Sequence, residues 1–227
     1  MGSPDTERSR WSDEGPVHTV NIGYAFYMGK YEVTQAQYQA VVGSNPSKST
    51  KAPNCPVDNV AEPDAVNFCD KLAEKTGREA RLPTEAEWER AARGGVEQQR
   101  FPWGDELEPG GEHRMNVFQG EFPGHDTGAD GYRGTAPVDA FEPNGFGLWN
   151  VTGNVWEWCA DWFDPSWYRR SPREAPSGPP SGALRVMRGG SFLCHHSYCR
   201  RYRVAARSSN DPTSSTANLG FRVAADA

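Results

Sequence analysis

Arg81-Leu-Pro-Thr-Glu-Ala-Glu-Trp-Glu89 is where this chain changes style. Arg81 to Pro83 read as the end of an extended segment, and Thr84 stands as the N-cap of a helix. Glu87, three residues later, completes a capping box: the Thr84 hydroxyl accepts from the Glu87 N–H while the carboxylate reaches back. Trp88, Ala91 and Ala92 follow at i, i+3 and i+4, and Gly94-Gly95 stops the helix. The stretch reads as structure and not as chemistry.

Upstream, the same grammar repeats. Thr34-Gln-Ala-Gln37 is a second capping box, and Gly43 ends its helix. Pro63 is a good first helical position for another helix, which runs to Gly77. Its apolar face is predicted to be Val66, Cys69 and Ala73, with Leu72 beside them. Val17, Thr19, Val20 and Ile22 predict a strand, and Ala25–Met28 continue the extended run. Downstream of about residue 96 helical periodicity disappears. Turn dipeptides recur at Pro109-Gly110, Asp130-Gly131, Asn144-Gly145 and Ser181-Gly182, with short aromatic and β-branched runs between them. Three short helices followed by a loop-rich half predict an α+β fold, a single domain over 1–227 with little regular secondary structure. Loops this long inside a compact domain usually need a clamp such as a metal. Pro172 to Pro180 reads as a surface loop and not as a boundary.

Composition narrows the function classes. The 227 residues fit one domain. Eight Trp, eight Tyr and ten Phe exclude a disordered chain or a coiled coil, and 24 Gly with 18 Pro call for many turns. A net charge of −6 excludes a basic nucleic-acid footprint, Arg200-Arg201-Tyr202-Arg203 with Arg207 being one local cluster. No apolar run is long enough to span a membrane, and the polar, charged residues 1–16 are no signal peptide. Five cysteines are an odd number and no disulfide framework, so at least one thiol is free.

Two constellations carry chemistry. In Cys194-His-His-Ser-Tyr-Cys199 the spacing alone serves two buried cysteines or a disulfide as well as a metal. Gly189-Gly190-Ser191 lets the backbone turn tightly before the pair, and the arginines that follow favour thiolate. Two thiolates without further strong ligands suit Cu(I). Zinc would want four ligands, with His195 and His196 the available additions. The second constellation is rich in oxygen: Asn116 and Val117 with Asp130 and Tyr132, then Asn150, Gly153, Val155 and Glu157. Such loops serve Asx turns and caps, or offer side-chain and carbonyl oxygens to Ca2+.

Taken together, these pieces resemble one family. Arg81–Glu89, Phe101-Pro-Trp-Gly104, Asn144-Gly-Phe-Gly-Leu-Trp-Asn150, Gly153-Asn-Val-Trp-Glu-Trp158, Arg188-Gly-Gly-Ser191 and Asn218-Leu-Gly-Phe-Arg222 look like the formylglycine-generating enzyme (sulfatase-modifying factor) superfamily. The resemblance covers nearly the whole chain and implies a fold related to C-type lectins. Many superfamily members are not this enzyme. The deciding stretch is Gly189 to Arg207, similar to the active-site segment of the true enzyme with both cysteines in register. Asn116 to Phe122, Asp126-Thr-Gly128, Gly134 to Phe141 and Ser209 to Ser215 also resemble that subgroup.

The resemblance implies that Cys194 and Cys199 hold Cu(I) as a near-linear bis-thiolate. The substrate would be an unfolded sulfatase peptide containing Cys-X-Pro-X-Arg, with O2 and a thiol reductant. A hydrogen is removed from the substrate Cβ, a thioaldehyde forms, and hydrolysis leaves formylglycine. Ser191, Tyr198 and Trp156 match residues lining the O2 and substrate pocket. Asn116, Val117, Asp130 and Tyr132 match one Ca2+ site; Asn150, Gly153, Val155 and Glu157 match a second. A monomer is expected. Positions that pair cysteines in secreted members read Ala92, Val204 and Val223 here, leaving Cys69 alone, which fits a reducing cytoplasm. Met1-Gly-Ser3 matches a motif normally preceded by one more strand. The first half departs: the Val42–Pro56 connection is short where true enzymes often carry a long insertion walling the peptide groove, and the common Val-Ser-Trp reads Val60-Ala61-Glu62.

Two other classes fit the same motifs. A lectin-like binding or display module needs no paired thiols at 194 and 199. An iron-dependent oxidative enzyme needs a histidine facial set, and the five histidines (18, 113, 125, 195, 196) include no helical His-x3-His.

Overall fold

The capping boxes set the helices where the sequence predicts them. A computed structural model describes all of residues 1–227. Helix α1 runs Gln35–Val42, capped by Thr34 and closed by Gly43 in the left-handed region at φ +95°. Helix α2 runs Glu62–Thr76 and ends at Gly77; α3 runs Glu85–Arg93 under its Thr84/Glu87 box. The buried face of α2 differs from the predicted one. Ala65, Phe68 and Cys69 face the core, while Val66 is exposed. Phe68 decides the rotation, because its ring stacks on Tyr38 of α1 at 5.6 Å and meets Phe221 edge-on at 5.3 Å.

The sheet is small and assembled from distant segments. Strand β1 (Phe26–Met28) precedes α1, and the hairpin β2 (Gly120–Glu121) with β3 (His125–Asp126) follows α3. The central strand β4 is Trp156–Trp162, followed by β5 (Arg185–Arg188), β6 (Ser208–Asn210), β7 (Leu219–Gly220) and β8 (Ala224–Asp226). The main sheet has the order β6-β5-β4-β7, with β7 parallel to β4 and the other pairs antiparallel. Strand β8 pairs with β1. The strand predicted over residues 17–22 does not form: only Asn21 bridges, to Glu174. That segment bonds to loops at isolated points, His18 N–H to Met1 O and Asn21 N–H to Arg173 O, so no ladder grows.

Strand β4 is buried on both faces, and its period of two separates two cores. Trp156 and Trp158 face a larger core with Tyr38, Phe68, Phe101, Phe221 and both Cys194 and Cys199. Cys159 belongs to a smaller core around Trp88, Ala92, Val186 and Val204. Buried ion pairs fasten these layers. Arg222 clamps Glu157 through two bonds of 2.7 Å, while Trp88 Nε1 donates to the same carboxylate at 2.7 Å. Arg188 holds Glu85 and Glu89, and Arg207 holds Glu85 again. Arg203 meets Glu7 and Glu14 of the N-terminal segment. Half of the basic cluster read from sequence is therefore interior. No helix is long and apolar enough to cross a membrane.

Removing one partner of a fully buried pair strands the other charge, at a cost of about 3–5 kcal/mol. Arg222→Met is expected to lose stability in that range in urea unfolding. A loss below about 1 kcal/mol would show that Glu157 finds another partner.

Candidate active site

A turn that only glycine permits creates the thiol site. Gly189 and Gly190 leave β5 at φ +91° and +77°. A Cβ on Gly190 would lie 2.8 Å from the Tyr202 Cα, so the two limbs of the loop meet backbone to backbone. The next turns are short: the Cys194 N–H donates to Ser191 O, and the Tyr198 and Cys199 N–H groups both donate to His195 O. Cys194 and Cys199 are thereby brought together inside the larger core, 2% and 5% exposed. Their sulfurs lie 2.7 Å apart. That is longer than the roughly 2.05 Å of a disulfide, and both are thiols.

The two thiols ionise unequally. Cys199 is lowered to about 6, first by the hydrogen bond from Cys194 and then by the backbone N–H and guanidinium of Arg201, against its burial. Cys194 is raised well above the ordinary thiol range by burial and by its role as donor. Arg201 is held between rings, its guanidinium carbon 5.1 Å from the Trp11 ring centroid and 5.8 Å from that of Trp156. It supplies the cationic neighbourhood expected from sequence; Arg203 and Arg207 are spent on buried carboxylates.

The donor set fits a soft ion of low coordination. Nowhere do three His, Cys, Asp or Glu side chains converge as metal ligands would, so neither a four-ligand zinc site nor a histidine facial set is assembled. His195 pairs through Nδ1 with Ser197 Oγ at 2.7 Å and stacks on Phe122. Cys194 and Cys199 would be the two sulfur donors to such an ion, and at 2.7 Å apart the closed pair would have to open to hold it.

The other predicted residues gather around the pair. Ser191 is fully buried, its Oγ accepting from Asn218 Nδ2 at 2.9 Å and from the Leu193 N–H. Trp156 is buried, and its N–H donates to Asn218 O. Tyr198, next to Cys199, is 67% exposed, its ring stacked 5.0 Å from Phe122. Leu193, next to Cys194, is exposed, and so is Trp11, over whose ring Arg201 lies. Asn218 and Phe122 were named in the sequence only as members of motifs, with no role; of the arginines, the sequence did not single out Arg201 as the one beside the thiols. Asn218 opens one of the quoted motifs, but its bond to Ser191 crosses 27 residues of chain.

The oxygen-rich loops differ from one another. Asp130 draws the first set together, accepting from the Val117 N–H at 2.9 Å and the Tyr132 N–H at 3.0 Å. Asn116 donates through Nδ2 to Gly134 O and to Asn154 Oδ1. Each Asp130 oxygen keeps a lone pair for a hard ion. In the second set Glu157 is committed to Arg222 and Trp88. The unpartnered buried oxygens there are Asn150 Oδ1 and, on a residue outside the predicted set, Glu32 Oε1. Burial, with Glu157 nearby, pushes Glu32 up to about 8.

A central strand buried on both faces, flanked by short helices and long loops, defines a C-type-lectin-like α+β domain with a buried thiol pair in its larger core. The solved structure of PvdO from Pseudomonas aeruginosa has this architecture: TM-score 0.85 at 28% identity, over 100% of this chain and 90% of that one. Residues 1–227 match the family described as sulfatase-modifying factor enzyme 1-like domain, and the chain belongs to that family. It is 45% identical to the formylglycine-generating enzyme of Thermomonospora curvata, over 100% of this chain and 90% of that protein. It is 59% identical over 181 residues to the formylglycine-generating enzyme of Streptomyces coelicolor, 80% of this chain and 56% of that protein.

The unequal pair has a spectroscopic consequence. In the reduced, metal-free protein, ultraviolet thiolate absorbance should rise with a midpoint near pH 6. Cys194→Ser offers a weaker, different donor, so the remaining midpoint should move up. An unmoved midpoint would show that Arg201 alone sets it.

Proposed function

We propose that this chain is a copper-dependent oxidase that converts the cysteine of a Cys-X-Pro-X-Arg motif in unfolded sulfatase peptides to Cα-formylglycine, using O2 and a thiol reductant. The observation that carries the reading is the closed pair of Cys194 and Cys199, buried in the core yet one residue from the exposed Tyr198. A display module of the same fold has no use for such a pair. When bound, Cu(I) would supply a soft site for the substrate sulfur and for O2. Cys194 and Cys199 would be its ligands, with Cys199 already poised as thiolate. Ser191, fixed by Asn218, would present its hydroxyl beside the reacting sulfur. Trp156 and the Phe122–Tyr198 stack would shield the mouth from water and bear on the peptide.

Calcium is proposed as a structural ion of the loops around 116–132 and 150–157, with no part in the chemistry. Five free thiols support a reducing compartment, the cytoplasm, and a monomer is the simplest form.

Mass spectrometry of a Cys-X-Pro-X-Arg peptide, incubated with Cu(I)-loaded protein, O2 and thiol, should reveal loss of sulfur. The double variant Cys194→Ser, Cys199→Ser should abolish the conversion. Conversion by that variant would overturn the assignment.

Peptide selection should be broad. Residues 43–55 fold back instead of reaching outward: Asp58 Oδ1 accepts from the Lys48 N–H, and Ser49 Oγ accepts from the Thr135 N–H. Fewer walls mean less uniform binding energy, which appears mainly in KM. Peptides altered at Pro or Arg should therefore be accepted with raised KM and a smaller loss in kcat. Strong rejection of them, with a micromolar KM for the intact peptide, would show a complete groove.

A further inference from the structure

Arg201 is the arginine beside the thiols that the ion-pair network leaves out. In the basic cluster that follows Cys199, Arg203 and Arg207 lie on buried carboxylates. Arg200 is taken up by oxygen acceptors, its Nε donating to His196 O and its Nη1 to Ser9 Oγ. Arg201 meets no carboxylate. Its Nη1 donates to Ser208 Oγ at 3.0 Å, and its Nε is buried without an acceptor. The guanidinium is held by rings on two sides, 5.1 Å from the Trp11 centroid and 5.8 Å from that of Trp156. Its charge bears on Cys199 and reaches Cys194.

The charges around the pair do not balance while both sulfurs are thiols. Two thiols are neutral, so the guanidinium beside them stands alone. Two thiolates around a monovalent ion would carry one net negative charge. Cys194 and Cys199 are 2% and 5% exposed, so water screens that charge little. A buried charge is costly unless it is paired. One anionic centre and one guanidinium would close the count.

We propose that Arg201 is a positioning residue for copper: a fixed counter-cation that lets two buried sulfurs hold Cu(I) as an anionic pair. This rests on the copper reading of Cys194 and Cys199. Arg201 would ligate nothing, since a guanidinium has donors and no free lone pair. It acts through the sulfurs, by charge. Arginine suits the task because its planar group stacks on aromatic faces and keeps its proton at any working pH. Lysine would keep the charge and lose the stacking.

The test is the Cu(I) affinity of the purified full chain, measured without oxygen by competition with the chromophoric chelator bicinchoninate, with folding checked by circular dichroism. It needs no turnover. Arg201→Met keeps apolar bulk between the rings and removes the charge, and should bind Cu(I) about tenfold more weakly or worse. Arg201→Lys should restore most of that loss, which a role in packing alone would not predict. Should Arg201→Met fail to fold, Arg201→Gln removes the charge and keeps a donor. Wild-type affinity in a neutral variant, or a lysine variant as weak as the neutral one, would overturn the proposal and leave the copper reading standing. A wild type that takes up no Cu(I) would overturn the copper reading and this inference with it.

Discussion

The Glu157 carboxylate is the point at which the layers of this protein are tied. It lies on the central strand, takes two bonds from Arg222 near the C-terminus, and takes a third from Trp88 of α3. Arg222 extends the tie to the carbonyls of Gly29 and Trp149. One buried charge pair thereby gathers the first strand, the third helix, the loop before β4 and the last segment. With so little regular structure, the fold uses side-chain bonds where other domains use ladders. The desolvation cost of a buried pair is offset only when its geometry and remaining bonds are good, and here both carboxylate oxygens are filled.

That construction explains how a loop can carry a buried thiol pair. The larger core on one side of β4 is aromatic and closes around Cys194 and Cys199. The backbone of residues 189–202 is pinned at Gly190 against Tyr202 and at Phe118, whose N–H donates to Cys194 O. The sulfurs are brought together although no helix or strand holds them. Beside the buried pair, Tyr198 and Leu193 are exposed.

Much of this was legible in sequence, and the division is physical. Capping boxes and glycine stops are local, so α1, α2 and α3 are bounded by residues adjacent to them. The buried face of α2 was not legible, because Val66 and Phe68 are both apolar and the choice depends on Tyr38 and Phe221. The extended residues 17–22 look like a strand, but a strand needs a neighbour and the fold supplies only loops. At the site, the thiol pair and Ser191 were legible from motif resemblance. Asn218 and Glu32 were not, since their contacts reach far along the chain, 27 residues from Asn218 to Ser191 and 118 from Glu32 to Asn150.

The proposed function requires that Cys194 and Cys199, and no other side chain, hold the copper. X-ray absorption at the copper edge of the Cu(I)-loaded chain tests it directly. The account predicts one copper per chain with a shell of two sulfur scatterers and no imidazole signature. A nitrogen-dominated shell, or copper that washes out of the reduced protein, would contradict it.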